Sequence, residues 1–426
     1  MSATDTSATD TSATAAEDAT RVSGDPSRRY WNEATQTMPR EQLRALQDER
    51  LHVAVERAYE TVFHQRRFDA IGVTPDDIKG VDDIGKLPLC FKDDLRADEI
   101  EHPPVGSYRR IGLNGSVRLT TSTGTTGKPT FALWTAKDLA LELELSARAN
   151  WRMGYRPGQV VVNAHPGYLN GGESFIVADC QHMGILPVSL GPPESIEGAA
   201  RALRAIEGVK VDHWRLFPAS LARFHEAAAQ FGIDVDLPPL SGAGPIQQYE
   251  RMSAGQECIS LLGTACGPGK GAHMAEDFAV VEVLDADTLL PAADGRRGLL
   301  TVTSLGRDNP MIRYNNEDVV RVEAALCDCG ETSRRGFYEG RRKDMVVIGE
   351  QIVLPIDVWF EIPVEAEYEL VRHKSADRLT VRIEHEPASD LQDRLEARTG
   401  VPIVIERVDD GAIARAAFKP SRVVED

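Results

Sequence analysis

A chain of 426 residues, 42% of them hydrophobic and 27% charged, is long enough for two or three domains that each bury a core. Its net charge of −18 argues against a nucleic acid or an anionic membrane as the main partner, because both demand a basic face. No apolar run approaches the ~18 residues of a membrane span and no basic-then-apolar signal opens the sequence, so a cytoplasmic protein is expected. The six cysteines, Cys90, Cys180, Cys258, Cys266, Cys327 and Cys329, are too few and too unevenly spaced for a disulfide framework, which leaves reduced thiols or a metal site.

Residues 1 to about 25 repeat Ser, Ala, Thr and Asp with almost no large apolar side chain and read as a disordered tail. From Pro39 to Phe68 the spacing of Leu43, Leu46, Leu51, Val55 and Tyr59 predicts one long amphipathic helix. The stretch from Leu119 to Thr130 then concentrates hydroxyl side chains with Gly124, Gly127 and Lys128. Glycines let backbone N–H groups turn toward an anion, hydroxyls add donors and the lysine adds a mobile charge, which together suit a polyphosphate. It is not a P-loop, since only two residues separate the glycines and Pro129 follows the lysine.

Further on, Val160 to Asn163, Phe175 to His182, Ile185 to Val188 and Ile196 to Glu207 alternate strand and helix patterns, which predicts an α/β fold with mainly parallel sheets. After residue 278 hairpins are expected: Ala279 to Leu284, a turn through Asp287 to Asp294, Gly298 to Thr303, then Ile312 to Val322. The last ~80 residues predict a small α+β domain. It comprises strands at Tyr368 to Val371, Leu379 to Ile383 and Ile403 to Val408, a turn at Lys374 to Asp377, and a helix from Asp390 to Arg398.

Cys266 and His273, with the close pair Cys327 and Cys329, make a possible tetrahedral zinc set. Four protein ligands would leave no open position, so such a site would be structural. The competing reading is unligated thiols and a packed histidine.

Six blocks in order now carry a resemblance: YWNEATQTMPREQLRALQ, GVTPDDIKGVDDIGKLPLCFKDDLR, TTSTGTTGKPT, MIRYNNEDVV, GRRKDM and KPSRVV. From about Tyr30 onward the chain resembles the phenylacetate-CoA ligase-like branch of the adenylate-forming (ANL, acyl-CoA synthetase) superfamily. The resemblance implies a large multi-subdomain N-terminal domain over 26–341, a small mobile lid over 342–426 and a hinge at Asp344. It implies activation of a carboxylic acid by ATP with Mg2+, release of pyrophosphate, and transfer of the acyl group to coenzyme A. Ser122, Thr123, Gly124, Thr125, Thr126, Gly127 and Lys128 would hold the departing phosphates. Gly242, Ala243, Gly244, Gly263 and Thr264 would line the nucleotide, Asp318 would accept from the ribose hydroxyls, and Arg341 would contact the nucleotide. Lys419 would be the mobile catalytic lysine. Homodimers are frequent in this branch, and some members carry the cysteines and histidine as well.

Three departures bear on the carry-over. The magnesium-binding glutamate of the family is missing from Leu261 to Cys266, with Glu276 or Asp277 as nearby substitutes; Gly242-Ala243-Gly244-Pro245 lacks a carboxylate that the family has. Gly349 to Ile352 replaces the family's Arg-Gly-Val-Asn, which opens the alternative of an amine or hydroxyl as acyl acceptor; a nucleotide-binding pseudoenzyme is the other alternative. The acyl pocket, read as His165, Tyr168, Gly171 and Gly172 with Asn170, offers polar contacts suited to a small aromatic acid bearing hydroxyl or amino groups.

Overall fold

The computed structural model describes residues 25–122, 129–169, 171–240, 251–349, 351–363, 366–373, 377–414 and 422–426. They fall into two compact units, one from 25–38 with 116–240, the other from 39–115 with 251–426.

The second unit starts with α1 (Arg40–Tyr59) and α2 (Val62–Asp69). Where periodicity predicts a single helix, the structure breaks it at Glu60 and Thr61, because the Thr61 hydroxyl accepts the His64 N–H and caps a new helix. Leu51 and Val55 of α1 and Phe68 of α2 pack with Ile78, Leu87, Val280, Leu305 and Ile312. Gln47 adds two side-chain hydrogen bonds, to the carbonyls of Glu276 and Ala279, so α1 is fastened to the strands that follow those residues. Strand β1 (Cys90–Phe91) and helix α3 (Lys92–Glu101) come next.

In the first unit β2 (Arg118–Thr121) and β3 (Phe131–Trp134) form an antiparallel hairpin, followed by α4 (Ala136–Arg152), which Thr135 caps. Then come β4 (Val160–Asn163), α5 (Gly172–His182), β5 (Leu186–Ser189), α6 (Ile196–Ala205), β6 (His213–Arg215) and α7 (Pro218–Phe231). The three strands pair in parallel in the order β5-β4-β6. Two apolar clusters cover this sheet, one around Trp151, Val161, Ile176 and Met183, the other around Leu203 and Phe224. Pro218 at the first turn of α7 and Gly232 at φ 62 just past its end are the start and stop signals of a helix that apolar periodicity alone does not mark.

The largest sheet belongs to the second unit. It joins β7 (Arg251–Met252), β8 (Gly263–Ala265), β9 (Ala272–Met274), β10 (Ala279–Leu284), β11 (Arg297–Ser304), β12 (Tyr314–Glu323) and β13 (Arg335–Arg341) in the order β10-β11-β12-β13-β9-β8-β7. Only β1, which pairs with β12, is parallel to its neighbour. The expectation of mainly parallel sheets therefore fits the three-stranded sheet and does not extend to this one, whose strands after residue 278 follow the hairpins expected there. Apart from β13 with β9 and β1 with β12, its neighbours are consecutive strands joined by short connections, and consecutive strands so joined pair as antiparallel hairpins.

Beyond it lie the hairpin β14 (Val346–Ile348) and β15 (Gln351–Val353), the short α8 (Pro355–Trp359), and a four-stranded sheet. That sheet is made of β16 (Tyr368–Arg372), β17 (Leu379–Ile383), β18 (Ile403–Arg407) and β19 (Val423–Glu425), with α9 (Leu391–Thr399). Leu370, Leu379, Val381, Leu395 and Ile403 form its core together with Val346 and Val353. Leu354 and Ile356 pack instead with Leu299 and Val319 of the large sheet, and Arg297 reaches the Ile352 carbonyl and the Asp357 carboxylate. The turn expected at Lys374 to Asp377 lies mostly outside the described residues.

Candidate active site

Hairpin β2–β3 carries the hydroxyl- and glycine-rich stretch. The Ser122 N–H donates to the Thr130 carbonyl at 2.9 Å, the Thr130 N–H to Ser122 Oγ at 3.1 Å, and the two hydroxyls lie 3.0 Å apart. These bonds pin both ends of the intervening loop. The loop residues Thr123, Gly124, Thr125, Thr126, Gly127 and Lys128 lie outside the described residues, as do Gly242, Ala243, Gly244 and Lys419.

The segment read as the acyl pocket lies beside that hairpin in the same unit. The Thr121 N–H donates to the Leu169 carbonyl at 2.7 Å. Gly171 has φ +76, and a Cβ there would come within 2.8 Å of Thr120 Cγ2 and 2.9 Å of the Phe175 ring, so only glycine fits; Gly172 then opens α5. His165 is held at two atoms. Its N–H donates to Asn163 Oδ1 at 3.0 Å, and its Nδ1 lies 3.1 Å from the Arg215 carbonyl. A carbonyl only accepts, so that contact makes Nδ1 the protonated nitrogen. The Phe217 ring lies 4.6 Å from the imidazole. Tyr168 is 72% exposed and Leu169 58%, so neither side chain belongs to the core.

In the second unit Asp318 of β12 sits opposite Arg341 of β13. Arg341 Nε is 3.4 Å from Asp318 Oδ1, and Asn316 Nδ2 donates to Oδ2 at 2.7 Å. Burial opposes the charge on Arg341, yet the Asp318 carboxylate, with Tyr338 and Asp344, outweighs it and raises the guanidinium pKa. Asp344 ends the short turn Arg342–Asp344 that follows β13 directly. Gly263 and Thr264 lie on β8 against β9, where a Cβ on Gly263 would meet the His273 carbonyl oxygen at 2.3 Å.

The four candidate metal ligands converge. One donor atom from each of Cys266, His273, Cys327 and Cys329 lies within 4.8 Å of every other, with Cys266 Sγ 3.6 Å from Cys327 Sγ and Cys329 Sγ 3.2 Å from His273 Nε2. Zinc–thiolate bonds in a tetrahedron put sulfurs about 3.8 Å apart, so the donor set is preformed for that ion. His273 Nδ1 lies 3.3 Å from Ser333 Oγ, an outer contact that orients the ring. Burial first, then the neighbouring Cys327 and Cys329, pushes the Cys266 thiol up to about 12, so a bound cation is what would ionise it.

No protein-family model matches the chain. Among curated proteins it is 32% identical over 353 residues to a phenylacetate-coenzyme A ligase of Thermus thermophilus, covering 76% of each chain. It is 30% identical over 430 residues to a phenylacetate-coenzyme A ligase of Aromatoleum evansii, covering 90% of this chain and 94% of that one. The chain belongs to the phenylacetate-CoA ligase family.

This family member is an AMP-forming acid ligase. Its fold is similar to that of a solved 2-hydroxyisobutyryl-CoA ligase, with a TM-score of 0.74 over 94% of this chain and 93% of that one at 22% identity. The ligase differs from one expectation about magnesium. Glu276, weighed as a substitute for the missing glutamate, is buried and bracketed by arginines: Arg334 donates from its backbone N–H at 2.8 Å and from Nε at 2.7 Å, and Arg40 donates from α1. Burial works against its charge, but Arg334 and Arg40 outweigh it and hold the carboxyl below its usual value. A carboxylate spent on two guanidinium groups is a structural tie and does not fit a magnesium ligand. Sequence reasoning also missed Asn315, Asn316 and Ser333. The Asn-Asn pair just before Asp318 was the available signal, since such residues bond to backbone two positions on.

Proposed function

We propose that the protein activates a small aromatic carboxylic acid with ATP and passes the acyl group to coenzyme A. In the first half, a carboxylate oxygen bonds to the α-phosphorus of ATP while the bond to the β-phosphate oxygen breaks, giving acyl-AMP and pyrophosphate. In the second, the coenzyme A sulfur bonds to the acyl carbon, its thiol proton is lost and AMP departs. Two anions must meet in the first step, so the site's task is neutralisation and alignment.

The observation that carries the residue-level reading is the pairing of Asp318 with Arg341 across β12 and β13. It sets a carboxylate able to accept from ribose hydroxyls beside a guanidinium able to meet phosphate. Ser122 to Lys128 would hold the leaving phosphates, and Gly242 to Gly244 with Gly263 and Thr264 the nucleotide. Lys419 would arrive with a lid over 342–426 that turns at Asp344, which would also keep water from the adenylate. Magnesium would neutralise the ATP phosphates; Glu276 is not its ligand. In the acyl pocket His165 and Tyr168 would face the ring of the acid. Zinc on Cys266, His273, Cys327 and Cys329 would cross-link the fold. The ligase would work as a cytoplasmic homodimer.

Incubation with ATP, coenzyme A and a panel of aromatic acids, read by acyl-CoA formation, tests the proposal. Acyl-CoA from one or a few acids is the expected result. Pyrophosphate release with no thioester would instead move the acceptor to an amine or hydroxyl.

A further inference from the structure

We infer that Asn316 is the positioning residue of the nucleotide site, the side chain that aims the Asp318 carboxylate; this rests on the role given to Asp318 above. Strand β12 loses register with β11 here. Leu299 pairs with Val319 and Thr301 with Asn315, so Leu300 alone faces Asn316, Glu317 and Asp318. The extra residues push this segment out of the ladder, as β-bulges beside active sites do. The chain turns through Glu317 at φ +62, a conformation unfavourable for a residue with a Cβ. Strain of this kind persists only where neighbours over-determine it.

Two amides do so. Asn315 Oδ1 accepts the Glu317 N–H at 2.9 Å, while its own Nδ2 donates to the buried Thr301 hydroxyl at 2.8 Å. Asn316 Oδ1 accepts the Asp318 N–H at 3.2 Å, and Nδ2 donates to Asp318 Oδ2 at 2.7 Å. The amide orientation follows from chemistry, because a backbone N–H requires an acceptor and a carboxylate requires a donor. Asn316 thus grips Asp318 by main chain and side chain together, and Arg341 approaches the remaining oxygen.

Substitution separates aiming from mere turn-making. Asn316→Asp keeps the acceptor for the Asp318 N–H but sets carboxylate against carboxylate; Asn316→Ala removes both bonds; Asn316→Ser offers one short hydroxyl that cannot make both bonds with the reach of the amide. Asn316 is half-buried and Glu317 exposed, so the segment has room for these changes. Steady-state kinetics with a substrate acid should show the KM for ATP rising about tenfold in Asn316→Asp. The rise should be smaller in the other two, with kcat and the KM for the acid within about twofold. The thermal midpoint of Asn316→Asp should be no lower than that of Asn316→Ala. A wild-type KM for ATP in Asn316→Asp, alongside a raised one in Asp318→Ala, overturns the positioning role and leaves Asp318 its assignment. An unchanged KM in Asp318→Ala overturns that assignment and the inference with it.

Discussion

His64 shows how a single buried side chain makes this fold sensitive to acid. It is buried beside Phe63 and Phe68, its Nε2 lacks a hydrogen-bond partner among the described residues, and burial, with Arg67 adding to it, lowers its pKa from 6.5 to about 3. The unfolded chain takes up this proton below pH 6.5 and the folded chain only near 3. Stability is therefore lost as pH falls through that window. Replacing His64 by Leu removes the loss. In urea unfolding at pH 7 and pH 5, the variant should retain about 2 kcal/mol more of its neutral stability at pH 5 than the parent. Equal losses in both proteins would show that His64 does not govern this limb. Glu276 acts in the same direction at lower pH: Arg334 and Arg40 depress its pKa below 4.5, so its stabilisation is present above that value and disappears as pH falls through the depressed one.

At the scale of elements, hairpin β12–β13 links two features that sit apart in the chain. Its open end carries Asp318 and Arg341, and the connection at its closed end carries Cys327 and Cys329, which meet Cys266 and His273 from the neighbouring β8–β9 hairpin. A metal there would staple one hairpin to the other and help hold the register that sets Asp318 against Arg341. Protein purified without a metal column should contain about one zinc per chain. Cys329→Ser should lower both the zinc content and the thermal midpoint and raise the KM for ATP severalfold. Stoichiometry near zero in the parent would refute the metal site, and an unchanged KM would refute its link to the nucleotide.

The elements also show what the sequence made legible. Strands β4, β5, β10, β11 and β17 and helices α5, α6 and α9 fall close to where apolar periodicity and turn residues put them. The break between α1 and α2 was illegible because the apolar period continues across Thr61, and only the capping bond decides it. The β10–β11 hairpin was legible from its turn residues, whereas the pairing of β13 with β9 joins strands far apart in the chain, which periodicity does not weigh. Among the site residues, Asp318 and Arg341 were named from their flanking blocks, and the four metal donors from their types and spacing. The Asn316 grip spans only two residues and was open to a local reading of the Asn-Asn pair, whereas the arginine clamp on Glu276 depends on a helix 236 residues away in sequence, which no local pattern encodes.

For the whole molecule, the residues assigned to the reaction divide between the two units. Ser122 and His165 belong to one, Asp318 and Arg341 to the other. In a chain of net charge −18, neutralising a polyphosphate would fall to particular cations such as Arg341. The central claim is that these groups work together to adenylate an aromatic acid. Acid-dependent exchange of labelled pyrophosphate into ATP tests it most directly, with the parent and Lys419→Ala compared across a panel of aromatic acids. The account predicts exchange that requires one or a few of the acids and falls at least about a hundredfold in Lys419→Ala. No exchange with any acid, or exchange indifferent to Lys419, would contradict it.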